Sequence, residues 1–258
     1  METGKLKTIV ILILLCLNLA FCGILLAEQM DTAAGTAQSR NELTRVLEGL
    51  GISLDADVIP GDAPMTLYTV SRDRETEQAL VLALLGEADS EDQGGNIRRY
   101  ENENGWARFR SGGVFELNTT AAGGALESRL RGSGLSIVRE ADSYICTAGD
   151  AQVFNCHVSL SQRAGGIYLS GRVLPGRPEA EESAESPDAA TLLLHFHDGV
   201  RDAGGVYTEI REILPGYLLN VTASSLELLP VWRITTDGGV WYLDVKEQKL
   251  VAESAFFP

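Results

Sequence analysis

The chain has 258 residues, of which 45% are hydrophobic and 22% are charged, so it can bury a core and is not disordered throughout. Its formal net charge is −15, with only 21 Lys and Arg residues. This balance excludes nucleic acid as a partner, because affinity for nucleic acid comes mainly from basic side chains that meet phosphate. The acidity mostly serves solubility, and any hold on a membrane has to come from apolar residues.

The first predicted element is a transmembrane helix at residues 8–27. This run contains no charged side chain, and twenty helical residues span about 30 Å, the thickness of the hydrocarbon core. Lys5 and Lys7 precede the run, so the positive-inside bias places residues 1–7 in the cytoplasm and the main domain outside it. We therefore expect a single-pass protein of the cell membrane.

Two alternatives to a permanent anchor are a cleaved signal peptide and a lipoprotein signal. The apolar stretch of a signal peptide is usually shorter and ends in a small-x-small site, which Leu25-Leu26-Ala27 fits poorly. A lipoprotein signal has small residues directly before its cysteine, whereas Phe21 precedes Cys22. The pattern favours an uncleaved anchor.

One face of this helix is predicted to bind a partner helix. Asn18 lies in the middle of the span, where a polar amide is costly unless it is hydrogen-bonded. Spacing of three and four residues places it on one face with four other side chains: Leu14, Phe21, Cys22 and Leu25. The alternative is that the single amide is tolerated without a partner.

The remainder is predicted to contain helices, strands and loops after a polar tether at residues 28–38. The predicted helices are residues 39–48, 73–85 and 189–196, with caps at Ser39 and Asp188. The predicted strands are residues 52–59, 65–70, 97–100, 106–110, 114–117, 143–146, 153–160, 167–173, 231–234, 240–243 and 250–251. An Asp-Gly turn at Asp237-Gly238 predicts a hairpin near the C-terminus. Two polar segments, residues 87–95 and 175–187, are predicted to be loops.

A faint internal repeat predicts the fold class. In residues 47–54 and again in residues 130–137, a helix end rich in glycine leads into a strand. We therefore expect an α+β fold, in which the transmembrane helix is followed by two similar lobes of antiparallel sheet covered by helices. The first extracytoplasmic lobe is predicted at residues 39–120 and the second at residues 121–258.

Cys146 and Cys156 are the cysteines outside the apolar run. A domain outside the cytoplasm permits a disulfide between them, and two free buried thiols are an equal alternative.

Residue patterns for catalysis, metals or cofactors are nearly absent. The sequence has no Gly-x-Ser-x-Gly elbow, no His-Glu-x-x-His pair and no phosphate-binding glycine loop. His195 and His197 would share a face on a strand, but they point apart on the helix predicted there. The three tryptophans, Trp106, Trp232 and Trp241, are expected to pack in the core rather than to line a ligand groove. We therefore expect a protein that is not an enzyme and has no metal or cofactor.

Three sequence features together resemble a known family. They are the start from Gly4 through Lys5 and Lys7 into the apolar run, the pair Gly216-Tyr217, and Pro230-Val231-Trp232-Arg233-Ile234 followed by a Trp-Tyr strand. In these features the chain resembles the YycI branch of the YycH/YycI regulators of Gram-positive bacteria. It departs from the family at residues 244–249, where relatives tend to have an Asn-Ala and Thr-Gly turn.

The resemblance implies a non-enzymatic regulator anchored in the membrane. Family members act on a sensor histidine kinase of the WalK type, partly through transmembrane helix contacts, together with a YycH-like partner. In that role, Asn18 and its helical face would pack against another membrane helix. The alternative function is an extracytoplasmic binding module for a peptide, a cell-wall fragment or a lipid.

Overall fold

A computed structural model describes residues 39–61, 65–120, 128–129, 137–140, 143–163, 166–183, 187–222 and 225–251. The predicted transmembrane helix at residues 8–27 lies outside these ranges. Among the helices within them, none has the length and apolarity needed to cross a membrane.

The chain divides into two compact units after Ile59. In the first unit, helix α1 spans residues 39–49, strand β1 spans Ser53–Leu54, and a 3₁₀ helix spans Ala56–Val58. The helix predicted at residues 39–48 is confirmed to within one residue. Leu43 and Leu47 are buried, whereas Val46 and Leu50 are half exposed.

The second unit is dominated by strands. Within its described residues, fourteen strands belong to one mixed sheet. The strands are β2 Thr66–Val70, β3 Asp89–Gly94, β4 Ile97–Asn102, β5 Gly105–Phe109, β6 Val114–Thr119, β7 Ile137–Glu140, β8 Ser143–Ala148, β9 Ala151–Arg163, β10 Gly166–Arg172, β11 Pro178–Ser183, β12 Glu209–Val221, β13 Leu226–Thr236, β14 Gly239–Asp244 and β15 Lys249–Val251.

The strand order shows that the predicted fold class is wrong. The sheet runs β11-β2-β13-β12-β9-β10-β6-β5-β4-β3, while β14 and β15 continue from β13, and β8 and β7 continue from β9. Strands from both predicted lobes alternate along this path: β2 pairs with β11 and β13, and β6 pairs with β10. Two separate lobes are therefore not found, and the second copy of the glycine pattern lies, except for residue 137, outside the described residues.

The junction of β9 and β12 is the parallel step that makes the sheet mixed, and a buried asparagine reinforces it. The backbone register pairs Tyr217 with Val153. Two residues further along each strand, the Asn155 side chain donates through Nδ2 to the Leu219 carbonyl at 2.9 Å and accepts from the Leu219 amide at 2.7 Å. The amide group of Asn155 thus replaces ladder hydrogen bonds where the backbone pairing is short.

Helix α2, Arg74–Leu84, covers part of the sheet. Asp73 caps it by accepting hydrogen bonds from the amides of Glu75 and Thr76. Its buried Leu80, Val81 and Leu84 join one core with side chains of β4, β5 and β6. The helix predicted at residues 73–85 is confirmed to within a residue at each end.

Helix α3, Ala189–Asp202, begins at the predicted cap, Asp188, whose carboxylate accepts from the Thr191 amide at 2.9 Å. It runs six residues beyond the predicted end. At Gly199 an added Cβ would lie 2.9 Å from the Leu250 side chain, so the glycine lets α3 approach β15 closely.

Local signals near the C-terminus are confirmed, and the two predicted loops are wrong in part. The hairpin of β13 and β14 turns at residues 237–238, and β15 pairs with β14 as expected. In contrast, β3 lies in the loop predicted at residues 87–95, and β11 lies in the loop predicted at residues 175–187. Both end the main path of the sheet. A strand in that position is paired along one edge only and needs no apolar alternation to be stable there.

Candidate functional site

The residues predicted to contact a partner helix, Leu14, Asn18, Phe21, Cys22 and Leu25, lie outside the described part of the chain. Their role stays a prediction.

Cys146 and Cys156 lie on the neighbouring strands β8 and β9, where the register shifts between Ile145 and Thr147. Both are free thiols and both are buried. Burial raises the pKa of Cys146 to about 11 and raises the pKa of Cys156 well above its usual range. The neighbouring Cys146 raises the pKa of Cys156 further. A thiol that stays protonated and out of reach of solvent is a poor nucleophile, so these side chains act here as small core residues. The disulfide stays a prediction.

His195 and His197 lie on helix α3, as expected, and not on a strand. His195 is exposed on α3, and His197 lies with its Nδ1 3.2 Å from the Tyr207 hydroxyl. Among the residues that the structure describes, no three His, Cys, Asp or Glu side chains come together as metal ligands.

The tryptophans divide between core and surface. Trp232 is buried, as expected, whereas Trp106 is half-buried on the outward side of β5. Strand alternation places its neighbours Ala107 and Phe109 on the inward side, where both are buried. The expectation of core packing is therefore wrong for Trp106.

Two guanidinium groups lie against the Trp106 ring. The Cζ atom of Arg99, on β4, is 5.2 Å from the ring centroid, and that of Arg108, two residues along β5, is 5.8 Å from it. Both distances are within the range of a cation–π interaction. The register explains the first contact, because Trp106 is directly opposite Glu101 and Arg99 is the diagonal neighbour.

Carboxylates hold both guanidinium groups in place. Arg99 donates through Nε to Glu101 at 3.0 Å, and Arg108 donates through Nε to Glu116 on β6 at 2.7 Å. Glu116 also accepts from Arg110 at 3.3 Å. Because the Arg108 and Glu116 side chains are each less than one-third exposed, this pair is better shielded from water than an ordinary surface salt bridge.

A row of polar and aromatic side chains continues across the sheet from Trp106. Trp106 is opposite Asn118 on β6, and Asn118 is opposite Tyr168 on β10. Residues directly opposite share a face, and two strand spacings put the two aromatic residues about 10 Å apart. We call this surface the Trp106 face and define it by Arg99, Glu101, Trp106, Arg108, Glu116, Asn118 and Tyr168.

Gly105 makes the close approach of β5 and β6 possible beside this row. Its φ is +145°, and an added Cβ would lie 2.0 Å from the Asn118 carbonyl oxygen. Any side chain there would push the two strands apart. The close packing of the two backbones therefore requires a glycine at position 105, next to the tryptophan.

The Trp106 face has the chemistry of a recognition surface rather than of a reaction centre. It offers a flat aromatic ring, guanidinium donors in fixed positions, and the amide of Asn118. Tryptophan, tyrosine and arginine are the residues that most often dominate the energy of protein interfaces. Preorganised side chains also lose less entropy when they bind.

The sequence contained a partial signal for this face. The alternation of residues 97–117 correctly indicated half-buried strands, so the outward positions were readable. The strand register decides which outward residues meet across neighbouring strands. The hairpin turns at residues 95–96 and 103–104 set this register.

Comparisons with known proteins give no family and no function. Neither the known family models nor the curated proteins contain a match to this chain. One solved structure, an uncharacterised protein from Eubacterium rectale, is 11% identical, with a TM-score of 0.44, over 74% of this chain and 86% of that chain. A TM-score at that level does not establish a common fold.

Proposed function

We propose that this protein is a non-enzymatic, membrane-anchored regulator whose extracytoplasmic domain contacts a sensor histidine kinase of the WalK type through the Trp106 face. The observation that carries the proposal is the half-buried Trp106 in contact with the guanidinium groups of Arg99 and Arg108 on an outward sheet surface. A regulator of this kind needs a surface that binds two kinase states differently, and it needs no catalytic group.

The apolar run at residues 8–27 supports the membrane part of the proposal. It has the length and the charge-free composition of a single span, which would place the hydrogen-bonding side chain of Asn18 in the middle of the lipid. The resemblance to the YycI regulators supports the same assignment and adds a YycH-like protein as a second partner. Contacts within the lipid and contacts outside it would then act on the same kinase.

The test of the face compares two arginines in the same local setting. Arg99 and Arg211 each donate through Nε to a glutamate two residues away on their own strand, at 3.0 Å and 2.8 Å. We expect Arg99→Ala and Trp106→Ala to weaken co-purification of the full-length kinase about tenfold or more, the loss of one interface hot spot. Arg211→Ala is the matched control and should leave co-purification unchanged.

The anchor is tested separately with Asn18→Leu. If this variant alone abolishes kinase regulation while the two Trp106-face variants leave it intact, the kinase is bound through the lipid and the role proposed for the face is wrong. If all three variants regulate the kinase as the wild type does, the kinase role itself is wrong.

A cell-wall glycan is the second candidate, because Trp106 and Tyr168 flank Asn118 in one row. Aromatic rings that stack on sugars, with an amide between them, are a common arrangement for an extended polar ligand on a sheet. Sedimentation of the full chain with purified cell walls, lost in Trp106→Ala and retained in Arg211→Ala, would support this candidate. Equal sedimentation of both variants would exclude the face as the glycan site.

A further inference from the structure

A polar groove of about 510 Å³ lies in the second unit, away from the residues of the Trp106 face. Four connections of the sheet contribute to it: the segment after β2, the β3–β4 turn, the turn before β6, and the ends of β12 and β13. Hydroxyl, amide and guanidinium groups share its lining with the apolar side chains of Val70, Val221 and Leu226, and the polar groups come from Ser71, Arg72, Asn96, Ser111, Thr222 and Ser225.

Arg72 is fixed in the wall of this groove by three hydrogen bonds. Its Nε donates to Glu77 Oε1 at 2.6 Å, and its Nη1 donates to the backbone oxygen and the Oδ1 of Asn96 at 2.7 Å and 2.6 Å. A guanidinium has five N–H donors, so the two on Nη2 remain. Within the described ranges, Nη2 makes no hydrogen bond, and a fixed donor pair is available to a ligand.

Glu77 limits how strongly this arginine can attract an anion. The Glu77 side chain is only 3% exposed and forms an ion pair with Arg72, so the local charge is close to balanced. The whole chain, with a net charge of −15, also repels anions at long range. Recognition in the groove therefore has to come from short hydrogen bonds. The hydroxyls of Thr222 and Ser225 are already bonded to each other and to Glu227, so the further donors are the hydroxyls of Ser71 and Ser111.

The turn before β6 contributes Ser111 and Gly112 to the wall of the groove. Gly112 has a φ of +71°, a conformation that favours glycine, and it lines the groove next to Ser111. Ser111 is exposed, so its hydroxyl is free of packing constraints. The groove thus combines one fixed cationic donor with a wall that has no bulky side chain at Gly112.

We propose that this groove binds the carboxylate or phosphate group of a small polar molecule, with Arg72 Nη2 and the hydroxyls of Ser71 and Ser111 as donors. This site is independent of the Trp106 face and of the kinase role. The two Nη2 hydrogens diverge, so one ligand oxygen accepts only one of them, and the neighbouring Nε and Nη1 donors are already committed to Glu77 and Asn96. The bidentate geometry of a free arginine is therefore not available, and we expect modest affinity.

The test titrates the full chain with inorganic phosphate and, separately, with acetate. Binding is measured by NMR, from the chemical shifts of the Arg72 side chain and of the backbone amides that line the groove. Ser111→Glu places a carboxylate in the groove, and Ser111→Gln is a matched control of the same size without the charge. We expect saturable shifts in the wild type and in Ser111→Gln, and at least a tenfold weaker response in Ser111→Glu. The stronger of the two probes identifies the chemical class of the ligand.

Two outcomes would overturn the proposal. One is an equal response to the probes in Ser111→Glu and Ser111→Gln, which would mean that the anion does not occupy the groove. The other is a response that never saturates or is spread over the whole surface. Because Ser111 is exposed, both variants should fold, and an unchanged thermal unfolding midpoint checks that they do.

Discussion

The two faces of strands β4, β5 and β6 show how one stretch of sequence serves two purposes. The inward positions carry Tyr100, Phe109, Phe115 and Leu117, all 2% exposed or less, and they join the core beneath α2. The outward positions carry Arg99, Trp106, Arg108 and Glu116 of the Trp106 face. Both faces contain aromatic rings, but those inside contact other rings and those outside contact guanidinium groups.

This difference separates stability from recognition. Burial of apolar area stabilises the fold in proportion to the surface removed from water, which favours the inward face. Ion pairs and cation–π contacts near solvent contribute little to stability, but they fix side chains in geometries that a partner can use. Substitutions on the two faces should therefore have opposite effects on folding and on binding.

The largest expected effect is the loss of an inward ring. Phe115→Ala should destabilise the fold by about 3–5 kcal/mol, because it removes a fully buried side chain and leaves a cavity. Urea unfolding of the full chain measures this change. A loss of about 2 kcal/mol or less would contradict the separation of the two faces, since that is the size expected for the outward substitution Trp106→Ala.

A smaller effect is expected at the buried thiols of the same core. Cys156→Ser should destabilise the fold by about 1–3 kcal/mol, because a hydroxyl costs more to bury than a thiol. The loss should be the same with and without a reducing agent, as expected for free thiols. If reductant destabilises the wild type to the level of the variant, the predicted disulfide is formed instead.

The sequence predicted local elements well because their causes are local. The Asp188 cap and the turn at Asp237-Gly238 each act within a few residues, and both are present. The inward pattern of β4 to β6 was likewise readable from alternation.

The non-local parts of the fold were not predictable in the same way. Strands β3 and β11 are polar because the ends of a sheet tolerate polar residues, so their sequences resemble loops. The junction of β9 and β12 in the single sheet includes the contact between Asn155 and Leu219, which are 64 positions apart. No local signal in either segment indicates that contact, and the glycine repeat favoured two lobes instead.

The site was predictable only as a set of outward positions. Trp106 was expected in the core because tryptophan is usually buried, and its outward position follows from strand register. The stack of Arg99 on Trp106 depends on the same register. A one-residue slip between β4 and β5 would move every outward side chain to the core.

Loss of the outward ring should have a small effect on stability. Trp106→Ala should cost about 1–2 kcal/mol, from two cation–π contacts near solvent and the loss of a ring that is only half-buried. Combining it with Arg108→Ala in a double-mutant cycle measures the coupling of the two side chains. A cost as large as that of Phe115→Ala would show that the ring is part of the core and would remove the main support for the Trp106 face.

The smallest effect is expected at Asp237, an exposed residue whose role is local. Its carboxylate accepts from the Thr208 hydroxyl at 2.7 Å and from the amides of Thr208 and Glu209, and these bonds lower its pKa to about 2. Because the unfolded pKa of an aspartate is about 3.9, the stabilisation is fully present above about pH 4 and is lost as the pH falls towards about 2.

Asp237→Asn should therefore lower the thermal unfolding midpoint slightly at neutral pH, and the difference from the wild type should disappear on acidification through that window. Thr208→Val removes the hydroxyl donor and should reproduce part of the loss over the same range of pH. A difference between wild type and Asp237→Asn that persists at about pH 2 would mean that the asparagine disturbs the turn itself. The stability of this turn would then depend on the shape of the side chain at position 237 and not on its charge. The turn would in that respect be like the inward face of β4 to β6 and unlike the charged outward face.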